Sequence, residues 1–169
     1  MRWRKQLGST GNEKAFGVAI DRRGNAYIAG YTSSNLAAAN AGQEDGWIAR
    51  YSVNGKLLWR RQFGSAGIDF AEGIAVDQSG NAFVSGYTDG DLFSNNAGRS
   101  GTYDAWIVRY TASGQQTWSE QLGSNQFDAS LDVTVDRRGN VYTAGYTNGD
   151  LVGTGSQDLS AWFARYSPA

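Results

Sequence analysis

The chain has no cysteine, no histidine, one proline and one methionine among its 169 residues. Without cysteine there is no disulfide framework and no thiolate metal site, and the chain suits either redox compartment. Without histidine the usual base at neutral pH is missing, which excludes Ser-His-Asp catalysis and imidazole-ligated metals. Formal net charge is −1, and no run of Lys and Arg exceeds two residues. Nucleic acid and anionic membrane surfaces reward clustered cations, so neither is expected as a partner. No apolar stretch approaches the ~18 residues that span a bilayer. The opening MRWRKQLGST has no apolar signal-peptide core. The expectation is either a cytoplasmic protein or a piece of a longer exported one.

What the chain does have is glycine and aromatic residues: 23 Gly, with six Trp, nine Tyr and seven Phe. Gly-rich turns between short aromatic and β-branched runs indicate an all-β fold. The clearest stretch is GIAVDQSGNAFVSGYT, Gly73 to Thr88. Two apolar runs flank an Asp-x-x-Gly-Asn turn, Asp77 to Asn81, which is a hairpin signature. Asp77 can accept from a backbone N–H two residues on, and Gly80 can take a positive φ. The same stretch recurs as GVAIDRRGNAYIAGYT from Gly17 and DVTVDRRGNVYTAGYT from Asp132. Asp21, Asp77 and Asp136 correspond, 56 and 59 residues apart. A period of this length means a repeat architecture.

Each repeat holds two further strands. One reads DGWIARY, DAWIVRY and SAWFARY, starting at Asp45, Asp104 and Ser160. The other reads WRKQLG, WRRQFG and WSEQLG, starting at Trp3, Trp59 and Trp118. Calling the hairpin strands A and B, the W-I-x-R-Y strand C and the Trp strand D, four short antiparallel strands make one β-propeller blade. Strand A, with small residues at Gly17, Ala19, Gly73 and Ala75, is expected innermost. The order is D-ABC-D-ABC-D-ABC, with repeat units at about 9–64, 65–123 and 124–169, and strand D at 3–8 left to complete the last blade. Propellers usually have four to eight blades. Three blades are therefore expected to pair head to tail with a second chain into a six-bladed homodimeric ring. The alternative is three blades cut from a longer propeller.

The pattern carried by Gly64 to Thr88, G-S-x-G-x-D-x-A-x-G-I-A-V-D-x-x-G-N-x-F-V-x-G-Y-T, resembles the bacterial SBBP β-propeller repeat. The resemblance covers nearly the whole chain in three copies. The first copy has Glu13 where the second has Asp69. The third has Gln126 for Gly67 and Asp132 for Gly73. The S-x-D-F-P continuation common in the family is matched at Ser34-Asn35-Leu36, Gly90-Asp91-Leu92-Phe93 and Gly149-Asp150-Leu151, each without the proline. The resemblance implies a propeller within an exported or surface protein, with neither an enzymatic activity nor a defined ligand.

Residues present in every repeat serve the core that every blade needs: the six Trp, together with Tyr31, Tyr87 and Tyr146. Arg50, Arg109 and Arg165 recur on strand C, where a repeated Arg–Asp pairing is expected. The B–C loops vary most (32–45, 88–104 and 147–160) and share a face with the D–A loops, where a rigid scaffold presents binding residues. Two acidic sets lie there. Asp89, Asp91 and Asp150, in Asp-Gly-Asp and Asn-Gly-Asp, are candidate ligands for a hard cation such as Ca²⁺ or ordinary turn residues. Glu13, Asp69 and Asp128 either line a channel mouth or cap neighbouring turns. Phe93, Tyr103 and Tyr146 are candidate aromatic contacts for a ligand. A carboxylate pair for glycoside cleavage is formally open, but nothing marks one pair. The expected function is a non-catalytic scaffold or binding module; the alternative is a carbohydrate-binding propeller with repeated inter-blade pockets.

Overall fold

The computed structural model describes residues 2–98, 101–151, 153 and 158–167. These residues form eleven strands and no helix. The first sheet contains β1 (Glu13–Ile20), β2 (Ala26–Thr32), β3 (Asp45–Tyr51) and β4 (Leu57–Phe63). The second contains β5 (Asp69–Val76), β6 (Ala82–Thr88), β7 (Asp104–Tyr110) and β8 (Gln116–Leu122). The third has three strands, β9 (Asp128–Val135), β10 (Val141–Thr147) and β11 (Ser160–Tyr166). Every sheet is an antiparallel meander in chain order.

The hairpin chemistry explains the A and B strands. Asp77 Oδ1 accepts from Ser79 N (2.8 Å) and Asn81 N (2.9 Å), and Oδ2 accepts from the Asn81 side chain at 2.7 Å. Asp21 and Asp136 make the same three bonds within their own turns. Gly24, Gly80 and Gly139 all have φ near +80° (78°, 83° and 85°), the conformation a side chain would strain. One carboxylate thus satisfies the donors of a turn that has no ladder of its own.

The first strand of every sheet is bulged: the register shifts between Ala15 and Gly17, between Ala71 and Gly73, and opposite Ala144 and Gly145. These bulged strands meet from sheet to sheet. A methyl on Gly17 would strike Ile74, and one on Gly73 would strike the backbone of Asp132 and Val133. The glycines therefore permit close approach where the strands converge.

Two cores lie between sheets. Tyr27, Ala29 and Ile48 of the first sheet pack on Ile74, Val84, Trp106 and Val108 of the second. Ala75, Phe83 and Ile107 of the second pack on Val133 and Val141 of the third.

Trp3 to Gly8, expected as a strand, has no ladder partner among the described residues. The segment is nevertheless placed. Trp3 Nε1 donates to Val53 O at 2.9 Å, and Leu7 packs on the cluster of Leu36, Trp47, Ala49 and Tyr51.

Candidate functional site

The B–C and D–A loops lie together at one end of the sheets, as the strand order requires. At this end the acidic residues make extensive bonds to the loops themselves. Asp69 is fully buried at the start of β5 and accepts from Ser65 N (2.6 Å), Ser65 Oγ and Thr88 Oγ1 (2.5 Å). Asp128, also fully buried, accepts from Ser124 N and Ser124 Oγ. Glu13 takes the same bonds from Ser9 and Thr32 with its longer side chain. All three therefore cap the D–A loop of their repeat.

Burial pushes the Asp69 carboxyl above the usual aspartate range, against its hydrogen bonds. Burial does the same to Asp104, whose Oδ1 is buried without a hydrogen-bond partner. At the more exposed Glu13 desolvation is outweighed by the bonds from Ser9 and Thr32, and its carboxyl lies below the usual range.

Asp89 accepts from Ile68 N at 2.6 Å, and Asp91 from Asn96 N at 2.8 Å. Both shape loops around an open polar hollow that also involves Ser65, Gly67 and Asn96. Asp150 lies in the third repeat, on a different loop. Among the described residues no group of three or more carboxylates gathers in a form that could hold a metal ion.

The aromatic candidates separate. Phe93 turns into the inter-sheet core, 6.3 Å from Phe63 and 5.9 Å from Trp106 between ring centroids. Tyr103 and Tyr146 instead join a partly exposed belt. It runs from Phe16 through Tyr31, Phe70 and Tyr87 to Phe127, with successive centroids 4.4–5.8 Å apart. Tyr103 lies 4.8 Å from Phe127, and Tyr146 stacks on Phe127 at 5.5 Å with the rings 3° from parallel. The belt crosses all three sheets. Sequence reasoning missed Phe127 and Phe70 because neither belongs to a recurring motif; the signal was an aromatic immediately beside each D–A capping aspartate.

The expected Arg–Asp pairing occurs once among the described residues, between Arg50 Nη2 and Asp21 Oδ2 at 2.9 Å. Arg165 donates instead to Asn140 Oδ1 at 2.7 Å, and Arg109 lies over the Phe83 ring. The neighbour differs in each blade: Arg50 also reaches Ala112 O across the sheet junction, which holds its guanidinium toward Asp21.

Two glutamines went unremarked in the sequence and prove central. Gln62 Oε1 accepts from the backbone N–H of Leu36, Ala37 and Ala38 (2.8, 2.9 and 3.3 Å). Its Nε2 donates to Ser34 O (3.0 Å) and Asp45 Oδ2 (2.8 Å). Gln121 repeats this in the second sheet with Leu92, Phe93, Ser94, Gly90 O and Asp104 Oδ2. One amide thus ties the first turn of a B–C loop to the aspartate that ends it.

Four-stranded antiparallel meanders packed face to face through their inner strands are the blades of a β-propeller. The chain belongs to the SBBP beta-propeller repeat family, which it matches over residues 2–37, 58–94 and 106–151. It is 28% identical over 134 residues to the regulatory protein FlaEY of Caulobacter vibrioides, covering 76% of this chain and 14% of that protein. It is 24% identical over 203 aligned positions to an uncharacterized WD repeat-containing protein, L264, of Acanthamoeba polyphaga mimivirus, covering 94% of this chain and 15% of that protein. The chain thus spans about one-seventh of the length of these curated relatives. Among solved structures, a protein of unknown function from Bacteroides caccae aligns with a TM-score of 0.36 and 12% identity, over 98% of this chain and 64% of that one.

Proposed function

We propose that the chain is a non-catalytic β-propeller module, a scaffold that presents its variable loops for binding, and that two copies close head to tail into a six-bladed ring. The absence of an enzymatic role is supported by the work the acidic residues already do. Glu13, Asp69, Asp89, Asp91 and Asp128 each accept backbone N–H groups of the loops they shape.

The observation that carries the ring is the place of Trp3. Trp59, the strand-D tryptophan of the first blade, donates Nε1 to Ala112 O of the second blade at 2.9 Å. Trp3 makes the corresponding bond to Val53 O, also at 2.9 Å. The N-terminal segment thus sits on the first blade as a strand D of a preceding blade would. Among the described residues β11 pairs only with β10, so its outer edge is open to such a strand.

The end faces agree with this reading. Phe163 is 82% exposed, whereas its counterparts Ile48 and Ile107 are 0% and 2% exposed in the two internal junctions. At the other end Val18 and Ile20 are 71% and 70% exposed, while Ile74, the counterpart of Val18, is 7% exposed. Burying an aliphatic or aromatic side chain is worth about 1.5–3 kcal/mol. Of the usual blade numbers, only six is a multiple of three. In a longer chain the same faces would take neighbouring blades of that chain. Native mass spectrometry tests the ring: a species of twice the 18.2 kDa chain mass is expected, and a monomer at every concentration overturns it.

The second reading, carbohydrate binding, is favoured by the belt that includes Tyr103, Phe127 and Tyr146, since partly exposed aromatic rings stack on apolar sugar faces. A glycan array decides it. Binding that weakens in Phe127→Ala supports this reading, and silence across diverse glycans ends it.

A further inference from the structure

In both complete blades the B–C loop is held by a glutamine from strand D of the same blade, Gln62 or Gln121. The third B–C loop begins in the same way. Thr147 Oγ1 donates to Gly149 O (3.2 Å) and accepts from Gly149 N (2.9 Å), as Thr88 does with Gly90. In the other two blades the carbonyl at this position also accepts the glutamine Nε2, at Ser34 O and Gly90 O. No strand D follows β11 among the described residues.

Gln6 occupies in WRKQLG the place of Gln62 in WRRQFG and Gln121 in WSEQLG. Its neighbours already stand where their counterparts stand. Trp3 bonds the turn of the following blade as Trp59 does. Leu7 packs on the cluster containing Trp47, as Phe63 packs on Trp106. Side chains alternate along a strand, so with Trp3 and Leu7 facing the first blade, Gln6 faces away from it, toward the blade that would precede.

We propose that Gln6 of a second copy is the clamp of the third B–C loop, its Nε2 donating to Gly149 O and its Oε1 accepting from the backbone N–H of Leu151 and Gly153. This rests on the ring assembly proposed above and adds a consequence. In the internal blades Gln62 lies opposite Trp47 and Gln121 opposite Trp106. In the trans pairing Gln6 lies opposite Trp162. The amides of Leu151 and Gly153 are then held only when two chains meet, so whatever binds through them binds the associated form.

Hydrogen exchange on the wild-type chain and on Gln6→Ala, each first weighed by native mass spectrometry, tests this. The expected result is that Gln6→Ala remains a dimer and exchanges about tenfold faster at Leu151 and Gly153, with loops 32–45 and 88–104 unchanged. Gln62→Ala should speed exchange in 32–45 alone, which calibrates the effect. A Gln6→Ala dimer with unaltered exchange at Leu151 and Gly153 overturns the clamp and leaves the ring standing. If Gln6→Ala does not dimerise, a dilution series of the wild-type chain decides: exchange at these two amides should rise in step with the monomer fraction, and failure to do so overturns the clamp. A wild-type chain that is monomeric throughout overturns the ring and the clamp together.

Discussion

The hydroxyl of Tyr27 donates to the carbonyl of Gly80 at 2.8 Å, joining the second strand of one blade to the hairpin turn of the next across a fully buried junction. Burial raises the Tyr27 hydroxyl to about 12, so it remains a donor at any physiological pH. At the next junction Phe83 stands in the same place and makes no such bond. Tyr27→Phe should therefore cost about 1 kcal/mol, mostly from the orphaned Gly80 carbonyl, and no more than the second junction already tolerates. Urea unfolding with an unchanged slope would measure it.

Tyr142 is the third member of this set and lies on the exposed end face. In the closed ring its hydroxyl would meet Gly24 O of the second copy, because Gly24 is the counterpart of Gly80. Tyr142→Phe should then leave the unfolding of the isolated chain unchanged and weaken the dimer about three- to tenfold. Sedimentation at several concentrations reads this directly. Equal dimer affinity would place Tyr142 outside the junction.

Phe163→Asp should raise monomer content steeply without lowering the stability of the monomer, because the side chain is exposed in the single chain. A charge placed in an apolar junction loses both the burial and its own hydration, so a shift of at least a hundredfold in dimer dissociation is expected. A dimer of wild-type strength would show that this face is not the seam.

Asp69→Asn isolates a pH effect. Burial raises the Asp69 carboxyl above its ordinary 3.8. A raised carboxyl binds its proton more tightly in the folded state, so the cost of the charged form develops as pH climbs past the ordinary value and persists above the raised one. The advantage of Asp69→Asn over the wild type should therefore be larger at pH 7 than at pH 3.5. Chemical denaturation of both at the two pH values checks the sign; a gap that widens on acidification would refute it.

Asp77→Ala removes the acceptor for Ser79 N, Asn81 N and the Asn81 side chain at once. The expected loss is about 1–2 kcal/mol. Asp21→Ala should cost more, since Asp21 also receives Arg50 across two strands. Thermal unfolding of the pair of variants ranks them.

The hairpin turns were legible in the sequence because their chemistry is local: an Asp, a Gly and an Asn within five residues contain both the donors and the acceptor. The alternation of Trp3, Lys5 and Leu7 with Arg4 and Gln6 was equally plain, but no ladder forms on it among the described residues, because a strand needs a neighbour as well as a pattern. The clamps were hidden for a related reason. Gln62 and Leu36 are 26 residues apart, and a glutamine on a strand looks like any polar surface residue until the fold brings a loop to it.

By itself, then, the sequence determined the turns and the strand patterns, since those depend on residues within a few positions of one another, and the repeat, because the same local pattern returns 56 and 59 residues on. Only the tertiary structure decided what the polar and aromatic residues do. It turned Asp69 and Asp128 inward as caps, sent Phe93 into the core and joined Tyr103 and Tyr146 to a belt. It also left Val18 and Phe163 bare at opposite ends. Those outcomes depend on which sheet faces meet, and composition along the chain carries no record of that.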